Sequence, residues 1–168
     1  MLFRTITSEV FTLTAKTRIQ IGVIGTGTCG ENIKTLAEKV GMEIAKRGAV
    51  LICGGLGGVM EAAACGAKRE GGITLGILPS SRREDANPWI DIAVLSGLGH
   101  ARNVLIAQSA DALIAVEGEY GTLSEIAHGL KMGKPVVVLA SKWEIEGTHR
   151  AKTPEEAVEL AFSLITKK

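Results

Sequence analysis

A chain of 168 residues fits one domain with a sizeable core, and its 19 basic against 18 acidic side chains leave a balance of +1. That balance gives no summed field pointing to nucleic acid or an anionic membrane, so any charged ligand must be met by local groups. Cys29, Cys53 and Cys65 form an odd set without paired spacing, which fits a reducing, cytoplasmic setting better than a disulfide framework.

Residues 1–18 lack the long apolar centre of a secretory signal and read as an extension with no assignable element, leaving 19–168 as one ligand-binding domain. No stretch approaches the roughly 18–20 apolar residues of a membrane span. Ile19 to Ile24 predicts a first strand, and Ile33, Leu36, Ala37, Val40 and Ile44 recur at helical spacing after it. Ala49 to Cys53 predicts the second strand, followed by a glycine turn and a helix through Met60, Ala63 and Ala67. A third strand is expected at Ile73 to Leu78, a short fourth near Ile92 to Leu95, and a helix from about Gly99 to Ala110. Ala112 to Val116 and Val136 to Leu139 supply the fifth and sixth strands, with a helix from Thr122 between them. The chain closes on Thr153-Pro154-Glu155-Glu156, with Thr as N-cap, Pro at the first helical position and Glu156 completing a capping box. Val- and Ile-rich strands without polar alternation, separated by helices, imply a doubly wound α/β domain with a parallel sheet covered on both sides. Ligands of such sheets lie outside the carboxyl ends of the strands, near the point where strand order reverses.

Three glycine-rich turns fall on that edge. The first, Gly25-Thr26-Gly27-Thr28-Cys29-Gly30, matches G-x-G-x-x-G between a strand and a helix. A dinucleotide site also needs an acid near the end of the second strand, and Leu51-Ile52-Cys53-Gly54-Gly55 has none, so NAD is not expected. The second turn is Gly54-Gly55-Leu56-Gly57-Gly58. The third, Glu117-Gly118-Glu119-Tyr120-Gly121-Thr122-Leu123-Ser124-Glu125, opens a helix whose N-terminal amides and dipole favour an anion, although Glu117 and Glu119 bring two negative charges into it. Two readings of Thr122-x-x-Glu125 stand side by side: a capping box, or a functional pair with Arg102. The second places Arg102 at the exit of the fourth strand, expected beside the first, where a guanidinium clamps phosphate by two parallel bonds.

His100, His128 and His149 have no metal-site spacing, and neither a structural metal nor pyridoxal phosphate is expected. Trp89 and Trp143, beside polar loops, either cover a ring system or close the core. Single-stranded DNA handling is disfavoured by the neutral balance and by an aromatic content of 4%.

With these loops in place, the chain from Ile19 to Leu139 resembles the LOG-like superfamily of Rossmann-like proteins, which includes cytokinin-activating phosphoribohydrolases and molybdenum cofactor carrier proteins. Gly54 to Ala62 is similar to the family's second glycine turn, His100-Ala101-Arg102-Asn103 to the hydrolases' His-x-Arg-Lys, and Glu117 to Glu125 to Pro-Gly-Gly-x-Gly-Thr-x-x-Glu. In the hydrolases the Gly-Thr and turn amides hold a nucleoside 5′-phosphate, and the arginine and glutamate assist cleavage of the bond between base and ribose. Here Glu117 replaces the Pro, Glu119 the second Gly and Asn103 the Lys. Losing a lysine and gaining two carboxylates weakens a site for a nucleoside monophosphate. Ser96 to Asn103, Ser109 to Val116 and Met132 to Leu139 look closer to the carrier branch.

The resemblance implies a carrier that binds and protects a phosphorylated pterin, the molybdenum cofactor, as cargo for an apo-molybdoenzyme, in a homodimer or homotetramer. The implied binding residues are Gly25, Thr26, Gly27, Gly54, Gly55, Gly57, Arg102, Gly118, Gly121 and Thr122. The alternative is a phosphoribohydrolase acting on a nucleotide, with Arg102 and Glu125 as its catalytic pair.

Overall fold

The computed structural model describes residues 17–165; most of the expected extension, residues 1–16, lies outside the described residues. In chain order the elements are β1 (Gln20–Gly25), α1 (Glu31–Lys46), β2 (Val50–Cys53), α2 (Val59–Arg69), β3 (Ile73–Leu78), β4 (Ile92–Leu95), α3 (Asn103–Ser109), β5 (Ala112–Val116), α4 (Tyr120–Lys131), β6 (Val136–Leu139), β7 (His149–Ala151) and α5 (Pro154–Ile165). All seven strands are parallel, in the order β4-β3-β2-β1-β5-β6-β7. The protein is therefore a Rossmann-like α/β fold, and strand order reverses between β1 and β5.

Burial on both faces explains the continuous apolar runs. Every residue of β5 is fully buried. Side chains such as Val23, Leu51 and Ile114 pack with α1, α2 and α5 on one face. Ile24, Ile52 and Leu113 pack with α3 and α4 on the other. Two such layers remove apolar surface from water on both sides of the sheet, which is the main stabilising term in a domain of this size.

The topology corrects one expectation. β4 is an edge strand and β5 is the neighbour of β1, so the fourth strand's exit does not adjoin the first. Arg102 reaches the centre by another route. The chain leaving β4 must cross β3, β2 and β1 to enter β5, and the 3₁₀ turn Gly99–Arg102 and α3 make that crossing. The single helix expected from Gly99 to Ala110 is accordingly this turn followed by seven residues of α-helix. The helix expected from Thr122 begins earlier, at Tyr120. β7 escaped the sequence reading because His149-Arg150-Ala151 is three residues long and only Ala151 is buried.

At the last helix the Glu156 amide donates to Thr153 Oγ1 at 3.2 Å. The Glu156 carboxylate accepts from the Lys152 amide at 2.8 Å, one residue before the amide that an ideal capping box would use. Thr153→Ala is expected to cost about 1 kcal/mol, read as a lower urea midpoint at unchanged slope.

Candidate functional site

Arg102 is the pivot of the carboxyl edge. Its side chain is buried, and one terminal nitrogen donates to Asn103 Oδ1 at 2.5 Å and to Glu125 Oε1 at 3.3 Å. The other donates to the Gly54 carbonyl at 3.4 Å. A Cβ on residue 54 would strike this guanidinium, so the second turn must be glycine where it passes the arginine. Asn103 completes the link by donating from Nδ2 to Ser124 Oγ at 2.9 Å and to the Gly121 carbonyl at 3.3 Å. Sequence reasoning treated Asn103 only as a missing lysine. Its amide instead supplies both the acceptor and the donor that join Arg102 to α4.

Glu125 is buried on the first turns of α4. Burial pushes its carboxyl up to about 7, against the pull of Arg102 in the other direction. Burial also lowers the Arg102 guanidinium from its ordinary value, while Glu125 raises it. The capping-box reading of Thr122 and Glu125 is thereby corrected. The N-cap is Glu119, no side chain caps the helix, and Glu125 turns inward to Arg102.

The loop entering α4 corrects a second point. Glu117 takes φ 53° and Gly118 φ 115°, whereas Glu119 is extended at φ −115° and ψ −159°. Glu119 therefore does not sit where positive φ is needed. A proline could not adopt the backbone of Glu117, because its ring fixes φ near −65°, so this loop differs in conformation from one that begins Pro-Gly-Gly. Gly118 is required twice over, by its positive φ and because a Cβ there would press on the Thr122 side chain. The loop is braced from outside: the Glu117 amide donates to the Leu139 carbonyl at 2.9 Å, and Trp143 Nε1 donates to the Gly118 carbonyl at 3.2 Å. The Trp143 ring also lies 5.8 Å from that of Tyr120.

Two adjoining clefts open on this edge. The first, about 280 Å³, is bounded by Gly25, Thr26, Gly27, Gly54, His100, Arg102, Gly121, Thr122 and Glu125, with Leu56 and Met60 as apolar wall. The second, about 350 Å³, takes in Thr28, Cys29, Gly30, Glu117, Gly118 and Lys142. Thr26 and Glu119 line both. Eight of the residues expected from sequence thus gather round the first cleft and Gly118 borders the second. Gly55 and Gly57 line neither: Gly55 faces Leu78 and Gly76, and Gly57 lies over the Gly27 carbonyl. Lys142 was missed, although its place just after β6 puts it on the edge where ligands of such sheets lie. Cys53 is fully buried, its thiol pushed up to about 11 by burial, and Cys29 is raised by burial and then by Glu117. Trp89 borders a separate cleft with Glu31, Glu61 and Cys65. Among the described residues no three His, Cys, Asp or Glu side chains form a metal-binding group, and no helix is long and apolar enough to cross a membrane.

The model of the SLOG cluster4 family matches residues 18–164. An uncharacterized protein of Archaeoglobus fulgidus is 53% identical over 150 residues, covering 89% of this chain and 98% of that one. Among solved structures, the molybdenum cofactor binding protein of Rippkaea orientalis superposes with a TM-score of 0.84 at 37% identity, over 89% of this chain and 98% of its own. The molybdenum cofactor carrier protein of Chlamydomonas reinhardtii gives 0.81 at 34%, over 90% and 100%. A rice cytokinin riboside 5′-monophosphate phosphoribohydrolase is 34% identical over 94 residues, which cover 54% of this chain but only 38% of the rice protein.

The raised Glu125 carboxyl has a consequence for stability. Its pKa goes from 4.5 to about 7 on folding, so between those values the native state holds a proton that the unfolded chain has released. Stability contributed by this group is full below about 4.5 and is lost as pH rises through 7. Glu125→Gln removes that dependence and leaves Arg102 without its counter-ion at every pH. In urea unfolding, the stability of the variant relative to wild type is expected to rise by roughly 3 kcal/mol between pH 4.5 and 8. Parallel pH curves for the two proteins would contradict the raised Glu125 carboxyl.

Proposed function

The chain belongs to the SLOG cluster4 family, within the LOG-like superfamily, and from that premise we propose that it binds and shields a phosphorylated heterocycle, the molybdenum cofactor, as a carrier. The observation that carries this reading is the double cleft. Two spaces of about 280 and 350 Å³ meet at Thr26 and Glu119, a shape that suits a ligand with a phosphate at one end and a fused ring at the other. The full-length likeness to two molybdenum cofactor binding proteins supports it.

In this reading the phosphate lies at the start of α4, where the amides of Gly121 and Thr122 are not spent within the helix and the dipole favours negative charge. Thr122 Oγ1 and the Gly25-Thr26-Gly27 turn complete that end, and Gly118 and Gly54 let the backbone approach. Arg102 supplies positive charge from the wall while remaining bonded to Glu125, Asn103 and Gly54. Shielding follows from a cleft cut into the sheet edge, and cargo leaves for an apo-molybdoenzyme. The three free thiols suit a reducing, cytoplasmic setting, and the carrier assembles as a homo-oligomer.

One observation favours a second reading. Glu125, with its carboxyl raised to about 7, borders the first cleft in the manner of a general acid, and the rice relative is named for phosphoribohydrolase activity. Against it, Glu125 and Arg102 already engage each other.

Under anaerobic conditions the wild-type protein is expected to retain molybdenum cofactor through gel filtration and to reconstitute an apo-nitrate reductase. Thr122→Val should lower retention about tenfold through one lost hydrogen bond to a charged group. Free adenine released from AMP, at a rate abolished in Glu125→Gln, would replace the carrier reading by the hydrolase.

A further inference from the structure

We infer that Glu119 selects the ring of the ligand: its carboxylate accepts two parallel hydrogen bonds from the ring N–H and the exocyclic 2-amino group of a 2-amino-4-oxopyrimidine, the edge that pterins and guanine share. This rests on the carrier reading of the same clefts and specifies which heterocycle they take.

Glu119 lines both clefts and is exposed at their junction, so a ligand spanning them passes this residue. The carboxylate is not used by the fold. Glu119 occupies the N-cap of α4 without making a side-chain cap bond, and no ion pair among the described residues includes it. The two neighbouring carboxylates differ from it. Glu125 is engaged by Arg102, and Glu117 borders only the second cleft. The backbone at Glu119 is held in place, since it is extended and follows a glycine carbonyl fixed by Trp143 Nε1 at 3.2 Å, which leaves the side chain to be ordered by the ligand.

A free carboxylate in a cleft meant for a phosphate opposes that phosphate by Coulomb repulsion. The site gains from it only if the ligand brings matching donors. A 2-amino-4-oxopyrimidine does so without bearing a positive charge, because adjacent ring N–H and amino groups present a planar fork of the kind that guanidinium presents to carboxylates. Adenine and hypoxanthine lack the 2-amino donor, so the same carboxylate disfavours them. Glu119, a departure that weakens a site for ordinary nucleoside monophosphates, thereby becomes the specificity element of a site for a different ring.

The test measures binding of GMP, IMP and neopterin monophosphate by calorimetry at pH 7.5, to wild type and to Glu119→Gln. GMP and IMP differ at the purine only by the 2-amino group. Wild type is expected to bind GMP about tenfold tighter than IMP, one charge-assisted hydrogen bond's worth. In Glu119→Gln that ratio should fall to near one while IMP binds at least as tightly as to wild type, which also shows that the variant is folded. Tighter binding of neopterin monophosphate than of GMP assigns the edge to a pterin, and the reverse assigns it to guanine. Equal affinity of wild type for GMP and IMP, or a preference that Glu119→Gln leaves intact, overturns the inference and leaves the carrier reading standing. Failure of all three to bind, together with loss of molybdenum cofactor on gel filtration, overturns both.

Discussion

The carboxyl edge of this sheet is organised around one buried guanidinium. Arg102 bonds to the Gly54 carbonyl after β2, to Asn103 at the start of α3, and to Glu125 on α4, three segments far apart in sequence. A buried ion pair is weak evidence for net stability, since desolvation offsets much of the attraction. Its geometric consequence is firmer. Removing either partner leaves an uncompensated buried charge, so the second glycine turn and the N-terminal turns of α4 are held in one relation, and the first cleft has a fixed wall. The Arg102 Nε, buried without a partner, marks how far the guanidinium is committed to carbonyl and carboxylate acceptors at its tip.

That commitment is what the carrier proposal weighs against the hydrolase alternative. An arginine and a glutamate that are free in a cleft can polarise a substrate and move a proton, whereas here each is the other's partner. Besides that pair, the clefts are bordered by backbone amide, His100, Thr122, Lys142 and the unengaged Glu119, while the Thr26 hydroxyl is spent on Thr28. In the carrier reading proposed above, the amides and Thr122 face the anion and Glu119 faces the ring. The positive φ at Glu117 belongs to the same picture. A loop that began with proline could not adopt it, so the entry to α4 has been reshaped as well as recharged relative to the hydrolase pattern.

Much of this was legible in the sequence, and the failures have physical causes. Val and Ile runs located six of the seven strands, five because they are largely buried and the edge strand β4 by its apolar letters alone, since its side chains are mostly exposed. Only β7, three residues at an edge with two side chains exposed, carried no such signal. The glycine turns were readable because each marks a strand exit, and Arg102 and Glu125 were rightly paired although for a mistaken reason. Strand order cannot be read from periodicity, so the proximity of the fourth strand to the first was wrong, and the crossover through α3 brings the two residues together instead. Thr122-x-x-Glu125 has the letters of a capping box, but a buried arginine competes for the glutamate and wins. Asn103 and Lys142 were missed for a shared reason: a role that depends on which distant element lies opposite leaves no local pattern.

The central claim is that the two clefts hold a phosphorylated heterocycle as cargo. Native mass spectrometry of the protein, purified gently and without oxygen from a host that makes molybdenum cofactor, tests it most directly. The account requires a bound species with the mass of a phosphorylated pterin, diminished in Thr122→Val. Protein that carries no ligand from such a host, or one whose ligand lacks phosphate, would contradict it.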